Sequence, residues 1–182
     1  MVSIFFAFLM VSSLLALWQG DPDTITDYNG YNFKLEGNYY TTKVQRQKVY
    51  FHYLPESVLG VNFPVVLKER LQDSPSWGVL FDPEDENVGY VDLLRSEMEQ
   101  QDRSVLEKEI HYALLNEAEE GSAYAFFPVE SCSEDGVKIV LRTGEETLIE
   151  EEENCVIFQA KTYNDLVLLK DVLLYYVFEI IE

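Results

Sequence analysis

Histidine occurs only twice in the 182 residues, at His52 and His111, and cysteine only twice, at Cys132 and Cys155. That stock leaves little room for metal or nucleophile chemistry. A Ser or Cys triad needs a histidine base and an orienting carboxylate brought together. Here His52 lies in the strand-like run Val49 to Leu54 and His111 between Ile110 and Tyr112, where both read as strand-face residues. Neither belongs to an HExxH pattern, and no GxSxG or phosphate-cradling glycine pattern occurs. Basic side chains are scarce too, 13 Lys and Arg against 33 Asp and Glu, for a formal charge of -20. Long-range repulsion of that sign disfavours nucleic-acid phosphates and anionic lipid headgroups as partners. No Asn is followed two positions later by Ser or Thr, so N-linked glycosylation is not expected.

Apolar and aromatic residues are plentiful. At 47% apolar and 14% aromatic, the chain is too rich for a disordered polyanion and can bury one sizeable core. Its acidity therefore reads as a solvated coat on a folded body, functional or a salt adaptation.

Residues 2–18 carry no charged side chain and precede an acidic stretch with Asp21, Asp23 and Asp27. Phe5, Phe6, Phe8, Leu9, Leu14, Leu15, Leu17 and Trp18 supply the apolar mass, and the length is near the ~17–20 residues that cross a bilayer as a helix. The expectation is a signal peptide or uncleaved membrane anchor over 1–20, with the domain outside. Trp18 and Gln19 stand where a cleavage site wants small residues, which favours retention. The localisation that follows is extracytoplasmic, membrane-anchored or secreted. In such a compartment Cys132 and Cys155, with no third thiol to compete, are expected to form a disulfide.

Residues 21–29 read as an acidic stalk and 30–182 as a single α+β domain. Tyr31–Leu35, Tyr39–Val44 and Val49–Leu54 look like an antiparallel β-meander, with turns at Glu36-Gly37-Asn38 and Gln45-Arg46-Gln47. A mixed αβ body follows: a helix from Pro64 to Ser74, a buried strand Trp77–Phe81, and a helix with Tyr90, Leu93, Leu94 and Met98 on one face. Ala123–Val129 is a strand candidate. Between the cysteines, Val137–Leu141 and Thr147–Ile149 suggest a hairpin about Thr143-Gly144, and Glu150–Glu153 an exposed acidic loop. After the strand Cys155–Ala160, Thr162 and Asp165 form a capping box for a last helix, apolar almost all round and so expected to be buried.

The succession Phe81-Asp82-Pro83, Tyr90-Val91-Asp92-Leu93-Leu94-Arg95, Phe127-Pro128 before Cys132, Glu146-Thr147 before Cys155-Val156-Ile157, and Lys170-Asp171 before Leu174-Tyr175 resembles an uncharacterised family of signal-anchored archaeal proteins. The likeness covers most of the chain beyond residue 28 and departs at Val172 and Glu179, where that pattern has Arg and Gly. It implies a surface-facing, disulfide-paired protein with no assigned activity.

One loop invites a cation. In Asp82-Pro83-Glu84-Asp85-Glu86-Asn87 the side chains of Asp82, Glu84 and Glu86 offer alternating oxygens to calcium, but the EF-hand glycine and distal Glu are missing, which favours a solvated turn. No other cofactor is indicated. The expectation is a membrane-tethered binding or envelope-assembly module without catalysis, with a protein partner or a second copy. A carboxylate-based surface hydrolase and a subunit docking through its last helix are the alternatives.

Overall fold

The computed structural model describes residues 25–99 and 103–181, and within them the chain builds two sheets around one helix. The first sheet is an antiparallel meander of β1 (Ile25–Tyr28), β2 (Tyr31–Glu36), β3 (Tyr39–Val44) and β4 (Gln47–Phe51). Each connection is a two-residue turn. Asn29 and Gly30 both have positive φ, 47° and 83°, the type I′ geometry that matches strand twist. Gly37, at 62°, occupies the first central position that type II′ reserves for glycine. The third turn has no glycine: Gln45 and Arg46 are held at 50° and 72°, a conformation most L-residues avoid.

Part of the expected stalk is therefore structured. Ile25–Tyr28 pairs along its length with β2, because Asn29-Gly30 folds it back. The apolar segment 1–20 and the stalk residues up to 24 lie outside the described residues. No helix among the described residues is long and apolar enough to cross a membrane.

After two helices, α1 (Pro55–Val58) and α2 (Val65–Asp73), come β5 (Ser76–Phe81), α3 (Val88–Glu97), α4 (Arg103–Leu106) and β6 (Glu109–Leu114). Beyond a long loop follow β7 (Val137–Thr143), β8 (Leu148–Glu152), β9 (Cys155–Ala160) and α5 (Tyr163–Val177). The second sheet runs β6-β5-β7-β9-β8, parallel except for β8. Its central strands, WGVLF, VKIVL and CVIF, are apolar on both faces but for the buried Lys138, as a parallel sheet covered on both sides requires.

The whole is α+β, as expected, with four local differences. Val137–Leu141 and Thr147–Ile149 do not pair with each other; both flank β9, and the hairpin tied to the disulfide is β8–β9. The apolar β9 takes two neighbours, and the glutamate-rich β8 takes the edge, where charge discourages further pairing. Glu150–Glu152 thus belongs to that edge strand and not to a loop. On α3 the buried face is Val91, Leu94 and Met98, whereas Tyr90 and Leu93 stay 42% and 55% exposed. Residues 123–129 make only one bridge, Val129 to Leu114, because Tyr124 and Phe127 turn their rings edge-on to Phe81 instead of alternating.

Helix α5 explains its own composition. Thr162 accepts from the Asp165 amide at 3.2 Å and Asp165 Oδ2 accepts from the Thr162 amide at 3.1 Å, closing the capping box. Beyond it, Leu166, Leu169, Val172, Leu173 and Leu174 are fully buried among β9 and the helices α1, α2 and α3. Tyr175 stacks on Phe51 of the meander at 4.2 Å and meets Phe33 edge-on at 6.0 Å. Apart from the Lys170-Asp171 pair, the helix is apolar over residues 166–175 because the two sheets and the helices enclose it there.

Candidate functional site: a basic sheet face above a buried ionic clamp

Strand alternation sends Phe33, Val49 and Phe51 inwards and Asn32, Lys34, Thr41, Lys43, Lys48 and Tyr50 to the opposite face of the meander. That face is concave: a groove of about 540 Å³ is bordered by Asn32, Lys34, Glu36, Thr41, Lys43 and Lys48. Lys43 and Lys48 are register partners. Like charges directly opposite each other on adjacent strands are unfavourable, and this pair stands next to the strained Gln45-Arg46 turn, which carries a further cation. Lys48 is joined to Glu36 and leans over the Tyr50 ring at 5.3 Å. The ammonium holds the exposed Glu36 carboxyl below its ordinary range.

Charge is therefore segregated. Residues 25–54 contain Lys34, Lys43, Arg46 and Lys48 against Asp27 and Glu36, which leaves 31 of the 33 acidic side chains and nine of the 13 basic ones elsewhere. The meander thus carries an excess of two positive charges on a chain of net charge -20.

At the end of β4 the meander is fastened to α5 by buried titratable groups. Asp171, fully buried, accepts the amides of His52 and Tyr53 at 2.7 and 2.9 Å on Oδ2. Its Oδ1 lies 3.3 Å from the ammonium of Lys170, itself 1% exposed. Tyr175 donates its hydroxyl to the Tyr53 carbonyl at 2.6 Å. Glu97 of α3 stands 3.8 Å from both Lys170 Nζ and His52 Nε2, and accepts from the Tyr163 hydroxyl at 2.9 Å. Burial pushes the Asp171 carboxyl up against the pull of Lys170 and the two amides. Burial and Lys170 lower the imidazole of His52, against the opposing pull of Asp171 and Glu97. Burial, followed by Glu97, raises the Tyr163 phenol, which stays a protonated donor. These groups hold one another and the backbone, and so form a clamp. His52, read from sequence as a strand-face residue, sits just past β4 with its ring 4.7 Å from Tyr39 on the outer face, and so joins clamp to groove.

The residues expected to offer oxygens to calcium lie in the turn after β5. Asp82 Oδ1 accepts from the Glu84 backbone amide at 2.9 Å and its Oδ2 from Asn116 Nδ2 at 3.2 Å. Asp85 takes the Thr143 hydroxyl and amide at 2.6 and 2.8 Å, so it ties the loop to the end of β7. Burial raises its pKa, but the bonds from Thr143 and Asn87 outweigh that and leave it lowered. Glu84 and Glu86 border a depression with Glu145 and Lys161. Among the described residues no group of three or more His, Cys, Asp or Glu is arranged to hold a metal.

Cys132 and Cys155 are joined, as expected, with an S–S distance of 2.04 Å. The bond pins the loop after β6 across the second sheet, over Leu80, Val140 and Ile157. There the buried Lys138 donates to the Ser131 carbonyl at 3.0 Å and to Glu134 at 3.4 Å, and His111 of β6 stands 3.3 Å from Glu130. Gly78 makes room for both side chains: a Cβ there would lie 3.0 Å from His111 Nε2 and 3.3 Å from Lys138 Cγ.

Compared with protein families, with curated proteins and with solved structures, the chain matches none. The reading of the site rests on its own geometry.

Proposed function

We propose that the protein is a non-catalytic, extracytoplasmic binding module, held at a membrane through residues 1–20, which recognises an anionic surface with the outer face of its meander. The observation that carries this reading is the lysine-bordered groove on a chain of net charge -20. Glu36 already pairs with Lys48, and an anionic ligand offsets the repulsion that remains between Lys48, Lys43 and the strained Gln45-Arg46 turn. The disulfide is compatible with an oxidising compartment. The most conspicuous titratable cluster is occupied in clamping β4 to α5, and α5 spends its apolar surface inside the fold, which argues against docking through that helix.

The test is calorimetric titration of the full chain, held in phosphatidylcholine nanodiscs, with dextran sulfate as a soluble polyanion. Salt-sensitive binding that falls at least about tenfold in Lys43→Gln/Lys48→Gln is the expected result. Equal binding by both proteins, or none by either, contradicts the reading.

A further inference from the structure

The geometry points to the identity of the anionic surface: we infer that the outer face of the meander lies on the anionic headgroups of the membrane that holds the chain. This rests on the tether and on the anion-binding face proposed above.

Three observations carry it. First, the distance is short. Between the apolar run ending at Trp18 and the first residue of β1, Ile25, the chain has only residues 19–24, about 20 Å when fully extended. A membrane segment ending there keeps the meander within reach of the headgroups. Second, the charges are polarised along one direction. The buried side of the meander faces α5 and the body, where the acidic residues are concentrated, and its opposite side carries Lys34, Lys43 and Lys48, with Arg46 at the adjoining turn, against Asp27 and Glu36, an excess of two positive charges. Setting that side down on an anionic surface turns the acidic body away from it, which lowers the electrostatic energy relative to the opposite orientation. Third, the same face holds Tyr39 and Tyr50, whose rings meet edge-on at 6.1 Å, and the 60% exposed Ile25 in register with Lys34. Amphipathic rings and an apolar side chain among cations suit the headgroup layer.

Attraction of this kind fades within a Debye length, roughly 8 Å at physiological salt, so close contact and low ionic strength both favour it.

The experiment reconstitutes the full chain into vesicles of phosphatidylcholine alone or with phosphatidylglycerol, and measures acetylation of each lysine by mass spectrometry. Lys34, Lys43 and Lys48 are expected to react several-fold more slowly in the anionic vesicles than in the neutral ones. Lys68 and Lys161 should react equally in both, and the protection should vanish in high salt. Uniform reactivity, in vesicles with which the protein co-floats, overturns the inference. If dextran sulfate nevertheless protects the same lysines, the anion-binding face stands and only its occupant is wrong. If the chain floats with neither vesicle, the tether fails and the inference with it.

Discussion

At the scale of single residues, Asp171 is the most consequential side chain outside the apolar core. One carboxylate oxygen holds two successive amides of the chain leaving β4, and the other faces Lys170. Asp171→Asn keeps the shape but removes the nearer counter-charge of the buried Lys170 ammonium and leaves only Glu97, 3.8 Å away, and the expected cost is about 3 kcal/mol in urea unfolding. His52 gives the clamp a pH dependence of definite sign. Its folded-state pKa lies below the ordinary value of 6.5, so the unfolded chain binds the proton more readily. Stability from this group is complete above that value and declines as pH falls from 6.5 toward the folded pKa. Thermal melts near pH 7.5 and pH 5.5 should show the loss, and His52→Gln should remove that component. Asp85 behaves alike at lower pH: its depressed carboxyl contributes stability above 3.8 that disappears as pH falls through the folded pKa.

The clamp was legible in one feature of the sequence that strand and helix periodicity pass over. Lys170-Asp171 is a charged pair in the middle of an otherwise apolar helix, and such a pair is buried only when it has partners. Periodicity could not supply those partners, because His52 and Glu97 lie more than 70 residues away along the chain. The two histidines read as strand-face residues, and the sequence offered nothing to link His52 with Glu97.

At the scale of elements, the two-residue turns decide the meander. Gly37-Asn38 is readable as a hairpin signal, and so is Asn29-Gly30, which marks β1 inside a stretch whose aspartates suggest a stalk. The Gln45-Arg46 turn carries no such signal and stores strain instead. Gln45→Asn/Arg46→Gly is expected to stabilise the domain by roughly 1–2 kcal/mol while weakening polyanion binding, opposite signs that melting and titration on one protein would display. The disulfide closes a sequence separation of 23 residues. In the chain-entropy account Cys132→Ser/Cys155→Ser costs about 3 kcal/mol, and hydrogen exchange should rise first in residues 115–136, which the bond pins over the second sheet. Which strands of that sheet neighbour one another was not legible. Val137–Leu141 and Thr147–Ile149 have the composition of hairpin partners, yet β9 separates them, a choice made by burying its two apolar faces.

At the scale of the whole molecule, net charge proved a coarse guide. A formal charge of -20 describes the body, and the four cations of residues 34–48 describe a different surface that averaging conceals. Cysteine pairing, the overall α+β class and the buried last helix followed from composition and pattern, because each depends on local chemistry or on amphipathicity. The groove depends on strand register, which places Lys43 opposite Lys48 and Lys34 on the strand beside Lys43, opposite Thr41. The central claim is that this placement, and not total charge, makes the binding face. The measurement that tests it most directly compares two double variants with the same change in net charge, Lys43→Glu/Lys48→Glu and Lys68→Glu/Lys161→Glu, in titrations against dextran sulfate. Loss of binding in the first with near-normal binding in the second is the predicted result, and equal losses in both would contradict the account.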